Sequence, residues 1–133
     1  SVGSEMCIRD RQLGNAAFLH SHWFSALSGQ RYGLILSNPP YIRADDQHLE
    51  QGDVRFEPSS ALIAGSDGLN DIRVIIQAAP QHLLSGGWLL LEHGFDQAEA
   101  VRSLLSEGGF VAVNSRRDLG GHERISLGRF DRE

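Results

Sequence analysis

The stretch Tyr32-Gly33-Leu34-Ile35-Leu36-Ser37-Asn38-Pro39-Pro40-Tyr41 joins an apolar run to two consecutive prolines, and few folds accommodate that junction. Residues 34–36 are apolar without alternation, the pattern of a strand buried on both faces, as in a parallel sheet covered by helices. Pro39 disfavours the helical region for Asn38, and Pro40 does the same for Pro39, so the chain leaves the strand extended and stiff. In open α/β sheets ligands bind outside the carboxyl ends of the strands, which is where this tetrapeptide falls. The sequence thus predicts an α/β fold with Asn38 at a ligand-binding edge.

Asn38 brings a side-chain carbonyl acceptor, and Pro39 keeps its backbone carbonyl while having no N–H of its own. Two such acceptors converging on one point suit a planar NH2 group, which has two hydrogens to donate. Tyr41 can cover the flat π-face beside it. An amide or aromatic amine is a weak nucleophile because its lone pair is delocalised. A site of this kind would polarise the N–H bonds and align the nitrogen with an electrophilic methyl group. Good alignment of two reactants supplies roughly 7–11 kcal/mol of a barrier, and the transfer itself needs no strong base. The proton leaves once methylation has made the nitrogen acidic.

Asn38-Pro39-Pro40-Tyr41 resembles the substrate-amine motif of methyltransferases that act on amide or exocyclic amino nitrogens. Its surroundings resemble one family among them. Gly52-Asp53-Val54-Arg55-Phe56-Glu57-Pro58, Ala61-Leu62, Gly65 and Asp67-Gly68-Leu69 are similar to the peptide chain release factor glutamine methyltransferases. Leu89-Leu90-Leu91-Glu92-His93-Gly94 and Glu123-Arg124-Ile125-Ser126-Leu127-Gly128-Arg129 continue the likeness, which runs over residues 12–130. The resemblance implies a partial Rossmann-like class I methyltransferase fold with S-adenosyl-L-methionine as methyl donor. It implies Asn38, Pro39 and Tyr41 as catalytic residues and Asn38, Pro39, Pro40 and Tyr41 as the substrate site. Asn38 and Trp23 are carried over as cofactor contacts, Trp23 beside the adenine. The implied substrate is the glutamine of the Gly-Gly-Gln loop of release factors, methylated on its side-chain amide, with an effect on translation termination. Neighbouring readings are a ribosomal-protein glutamine methyltransferase and a DNA adenine methyltransferase. A non-enzymatic reading, an inactive fragment that binds a glutamine-bearing loop, concerns the polypeptide and not the family.

Composition narrows these. At 133 residues the chain is one domain at most, and its formal charge of −5 offers no electrostatic footprint for a nucleic-acid backbone. A single cysteine, Cys7, excludes an intrachain disulfide framework, and no stretch is long and apolar enough to span a membrane. A cytoplasmic protein fits best. Residues 1–11 have no periodicity and do not match the family, so they are read as a non-native segment ahead of a catalytic-domain portion at residues 12–133.

Along the chain, residues 16–19 read as a short strand leading to Trp23, with His20 and His22 on one strand face. No third ligand accompanies that pair at a suitable spacing, so no metal is expected. Residues 43–60 are polar without a period and read as a long loop, which the resemblance implies is a wall of the substrate cleft ordered by a pairing of Arg55 with Glu57, the alternative being a solvated charge cluster. Gly65-Ser66-Asp67-Gly68 lacks the features of a phosphate loop and reads as a turn and helix cap. Residues 70–84 form an amphipathic helix interrupted near Pro80 and ended by Gly86-Gly87, followed by a buried strand at residues 88–91. Glu92, at that strand's end, is either a support for the site or a carboxylate bonded to backbone. Asp96 and Glu99 resemble a capping box for a helix stopped by Gly108. Residues 110–113 and 125–130 read as a terminal antiparallel pair, with Arg116, Arg117 and Arg124 as solvated or ion-paired cations.

No glycine-rich loop follows a first strand, and no acid stands ready for a cofactor ribose, the two features by which this fold grips its cofactor. The chain is therefore expected to be the carboxyl-terminal half of a longer enzyme. In the fold that the resemblance implies, the first strand lies beside the one ending in Asn38, so its loss would leave that apolar edge unpaired.

Overall fold

The computed structural model describes residues 14–41 and 67–132. Their centre is a four-stranded mixed sheet in the order β1-β2-β4-β3, where β1 is Tyr32–Ser37, β2 Leu83–Glu92, β3 Val111–Arg117 and β4 Glu123–Phe130. β1 and β2 are parallel, with Ile35 opposite Leu89 and Ser37 opposite Leu91. Parallel strands require a crossover, and it contains α1, Asn70–Ala78. β4 runs antiparallel to both β2 and β3, so β3 and β4 form the expected terminal hairpin. The second helix, α2, is Ala98–Glu107.

Ile72, Ile75 and Ile76 of α1 and Val101 and Leu105 of α2 fall at helical spacing and are buried in one cluster with Leu83, Leu89, Leu91 and Phe110. Side chains alternate along a strand, so Leu89 and Leu91 point to a single face, and both helices must lie on it. The other face carries Leu34, Leu36, Trp88, Leu90 and Leu127, by the same alternation and pairing. Leu34 is 53% exposed and Leu36 67%. The expectation of a strand buried on both faces is therefore corrected. Among the described residues β1 has one hydrogen-bonded neighbour and helices on one side only.

Four further expectations change. Residues 16–19 form no strand and are exposed, so His20 and His22 share no strand face. The helix expected over residues 70–84 ends at Ala78. Pro80 lacks an N–H and crowds the preceding turn, and Ala79–His82 tightens into a 3-10 turn before β2 begins. Gly86-Gly87 is consequently not a helix stop. Tyr32 pairs with Leu83 and Leu34 with Trp88, so β2 bulges outward between them, and Gly86 supplies the φ of +83° that the bulge needs. Finally, the N-cap of α2 is Gln97, not Asp96.

Other punctuation reads as expected. Asp67 accepts from the Leu69 N–H and from Arg73, a cap-like turn ahead of α1. At the end of α2, Gly109 takes a φ of +88°, with Gly109 N–H donating to Ser106 and Phe110 N–H to Leu105. That is the Schellman pattern, and it explains the adjacent pair Gly108-Gly109.

Candidate active site

β1 and β2 finish side by side, which brings Ser37-Asn38 next to Glu92-His93-Gly94. Asn38 is exposed, Pro39 is buried, and Pro40 and Tyr41 are half-buried. The arrangement follows from the chain: two proline rings turn inward while the residue before them, held extended, stays at the rim. No described residue hydrogen-bonds the Asn38 side chain or the Pro39 carbonyl.

The motif is anchored just beyond its last residue. The Gln97 side chain, almost wholly buried, donates from Nε2 to the Tyr41 carbonyl at 3.0 Å and to the Asp67 carbonyl at 3.2 Å. Its Oε1 accepts from the Gly94 N–H at 2.7 Å. One amide therefore ties together the segment after β1, the approach to α1 and the loop after β2. Gly68 makes room for it. At a φ of +76°, a Cβ on residue 68 would overlap the Tyr41 carbonyl oxygen and lie 2.6 Å from Gln97 Nε2.

Behind that loop lies a buried polar row. His93 is fully buried, with Nδ1 2.8 Å from the Gly94 carbonyl and Nε2 2.7 Å from Ser126 Oγ. A carbonyl can only accept, so Nδ1 carries the proton and Nε2 accepts from Ser126. Ser126 in turn lies 2.7 Å from Ser115 Oγ, which accepts from Arg102 at 2.6 Å. The guanidinium also reaches Glu123 at 3.2 Å. Burial pushes the imidazole below its ordinary pKa, and Arg102 and Arg124 act in the same direction against the Gly94 carbonyl and Glu123. Nearer the surface, the Arg73 hydrogen bond holds the Asp67 carboxyl down to about 2, with the Leu69 N–H assisting.

The remaining candidates are dispersed. Trp23, with a φ of 53°, lines an open cleft of about 630 Å³ with Phe24, Arg31, Val74 and His82. Arg31 and His82 precede β1 and β2, so the cleft opens where those strands begin. Asn38 lies beyond the far end of β1, on the order of 20 Å away by strand rise. Trp23 and Asn38 are not brought together. The Glu92 carboxylate takes no hydrogen bond from a described residue. Arg55 and Glu57 lie outside the described residues. Arg124 pairs with Asp118 at 3.5 Å, and Arg117 donates to the Gly121 carbonyl. Among the described residues no group of His, Cys, Asp and Glu is arranged to hold a metal.

Gln97 and the His93 row escaped the sequence reading. Asp96 took the cap role because it is the commoner cap residue. The buried pairing of His93 with Ser126, 33 positions on, follows only from the register of β2 with β4. A polar residue ahead of a helix and facing two chain reversals was the only available signal for Gln97.

No family model matches the chain. Individual relatives do. The release factor glutamine methyltransferase of Pseudomonas aeruginosa is 62% identical over 125 residues, 92% of this chain and 45% of the relative. Those of Salmonella typhimurium and Escherichia coli are 55% and 53% identical over 116 residues, each match covering 87% of this chain and 42% of the relative. A solved release factor-specific protein-(glutamine-N5) methyltransferase from Alicyclobacillus acidocaldarius superposes with a TM-score of 0.52 at 25% identity, over 83% of this chain and 55% of that one. The mixed sheet with its helices corresponds to part of a class I methyltransferase fold. The chain spans less than half the length of the curated relatives it matches, and within that span it belongs to the release factor glutamine methyltransferase family.

Proposed function

We propose that the protein to which these residues belong transfers a methyl group from S-adenosyl-L-methionine to the side-chain amide nitrogen of a glutamine, the one in the Gly-Gly-Gln loop of peptide chain release factors. The observation that carries this is Asn38: an exposed amide, hydrogen-bonded by no described residue, on a stiffened chain at the carboxyl end of a parallel strand. The substrate NH2 would donate its two hydrogens to the Asn38 side-chain oxygen and the Pro39 carbonyl, fixing the nitrogen and drawing electron density toward it. Tyr41 would flank the amide plane. The donor supplies an electrophilic methyl on a sulfonium. Asn38 orients the nitrogen toward that methyl, and the proton leaves after transfer because the alkylated, polarised amide is acidic. Asn38 is the cofactor contact this step uses, and the cofactor role carried over for Trp23 stands beside it as a separate part of the proposal. The substrate of the relatives, and a net charge of −5, favour a protein over a nucleic acid. A translation factor as substrate places the reaction in the cytoplasm.

The test is a full-length chimera in which this chain replaces the matched stretch of the Pseudomonas aeruginosa relative. Incubated with a release factor and labelled donor, it should methylate the Gly-Gly-Gln glutamine, read by peptide mass spectrometry. Asn38→Ala should lower turnover by about 10²-fold or more, far more than it weakens binding of the donor. Turnover unchanged by that substitution removes the acceptor role.

A further inference from the structure

We infer that Gln97 is a positioning residue for the methyl-transfer site, acting through the Tyr41 carbonyl; the inference rests on the glutamine-methyltransferase reading. A buried amide that uses both its N–H donors and its oxygen is uncommon at a helix cap, and here each of the three bonds goes to a different chain reversal. The Tyr41 carbonyl follows two prolines whose φ angles are fixed and which have no N–H to exchange partners. An orientation imposed at Tyr41 therefore passes back along Pro40 and Pro39 to Asn38 with little slack. Gly68 supports the same point independently, because a side chain there would displace the Tyr41 carbonyl from Gln97. Tyr41 and Asp67 also stand on either side of residues 42–66, so one Nε2 sets the separation of the two points where that segment leaves and rejoins the described fold. Like the proposed substrate amide, Gln97 shares its NH2 group between two carbonyl oxygens, here the backbone carbonyls of Tyr41 and Asp67.

The experiment uses the full-length chimera with Gln97→Met, which keeps length and loses every hydrogen bond, and Gln97→Glu, which keeps an acceptor for Gly94. Backbone amide exchange at Gly94 and turnover on the release factor are read together. Gln97→Met should speed Gly94 exchange at least tenfold and lower kcat about 10²-fold, the scale of a misplacement of about 1 Å, with KM for the donor within about twofold. Gln97→Glu should keep Gly94 protected yet lose kcat, because an anionic carboxylate repels the carbonyls of Tyr41 and Asp67. Its deficit relative to the parent should narrow as pH falls from about 8 to about 6, since the two carbonyls and burial raise the pKa of that carboxyl and the protonated form regains a donor.

Unchanged kcat in Gln97→Met overturns the positioning role. Losses in both variants that track the melting midpoint and ignore pH also overturn it, since they describe packing alone. A parent chimera that fails to methylate the release factor rejects the proposed reaction instead, and Gly94 exchange unaffected by Gln97→Met then still rejects the clamp.

Discussion

The two faces of the sheet are built from the same residue types and meet opposite surroundings. On the helix-bearing face Leu89 and Leu91 are fully buried against isoleucines of α1 and against Val101 and Leu105 of α2. On the other face, Leu36 lies beside Leu90, one residue along from Leu91, and is 67% exposed. An apolar run declares that both faces avoid water, yet only packing decides which one is covered. The site belongs to the edge these faces share. Asn38 is presented at the rim because the proline after it is anchored on the buried side.

The comparison predicts its largest effect on the covered face. Leu91→Ala in this chain should lower unfolding free energy by about 2–5 kcal/mol, the usual loss for truncating a fully enclosed leucine whose cavity does not collapse. Denaturant titration followed by tryptophan emission measures it. A cost under about 1 kcal/mol would mean that the helices do not close this face as tightly as the burial of Leu91 indicates.

How much of this was legible beforehand divides along similar lines. The motif, the parallel pairing of β1 with a later apolar strand, both helices and the terminal hairpin all follow from period and punctuation, because those signals are local. One-sided burial was not legible, since Leu34-Ile35-Leu36 reads identically whether or not something covers its second face. Gly86-Gly87 was misread for a related reason. A glycine pair after an amphipathic helix looks like a stop, and only the pairing of Tyr32 with Leu83 and Leu34 with Trp88 shows it to be a bulge. At the site, Asn38 through Tyr41 announce themselves by type and order. Gln97 reaches Tyr41 and Asp67, 56 and 30 residues away, and His93 reaches Ser126, 33 away, and no spacing rule finds such partners.

A smaller effect is expected from the polar row that crosses the covered face. Ser126→Ala leaves the buried Nε2 of His93 without a donor and should cost about 1–3 kcal/mol. The pH dependence has a defined sign. Burial holds the His93 pKa below its ordinary 6.5, so in acid the unfolded chain takes up a proton that the folded chain refuses. His93 therefore leaves stability intact above about pH 6.5 and erodes it as pH falls through the interval down to the folded-state pKa. Replacing His93 by Gln should flatten that limb, and a limb that persists unchanged assigns it to other groups.

The smallest effect belongs to the open face. Leu36 pairs with Leu90 across β1 and β2, but two-thirds of it meets solvent, so Leu36→Ala removes few contacts and leaves no cavity. Its cost should stay within about 0.5 kcal/mol, at least four times below that of Leu91→Ala in the same titration. A penalty of several kcal/mol would break the comparison by showing Leu36 covered in solution. Repeating the titration over a hundredfold range of protein concentration then identifies the cover. A midpoint that rises with concentration assigns it to a second copy of the chain. A constant midpoint assigns it to residues of the same chain, and the sheet would have two closed faces after all.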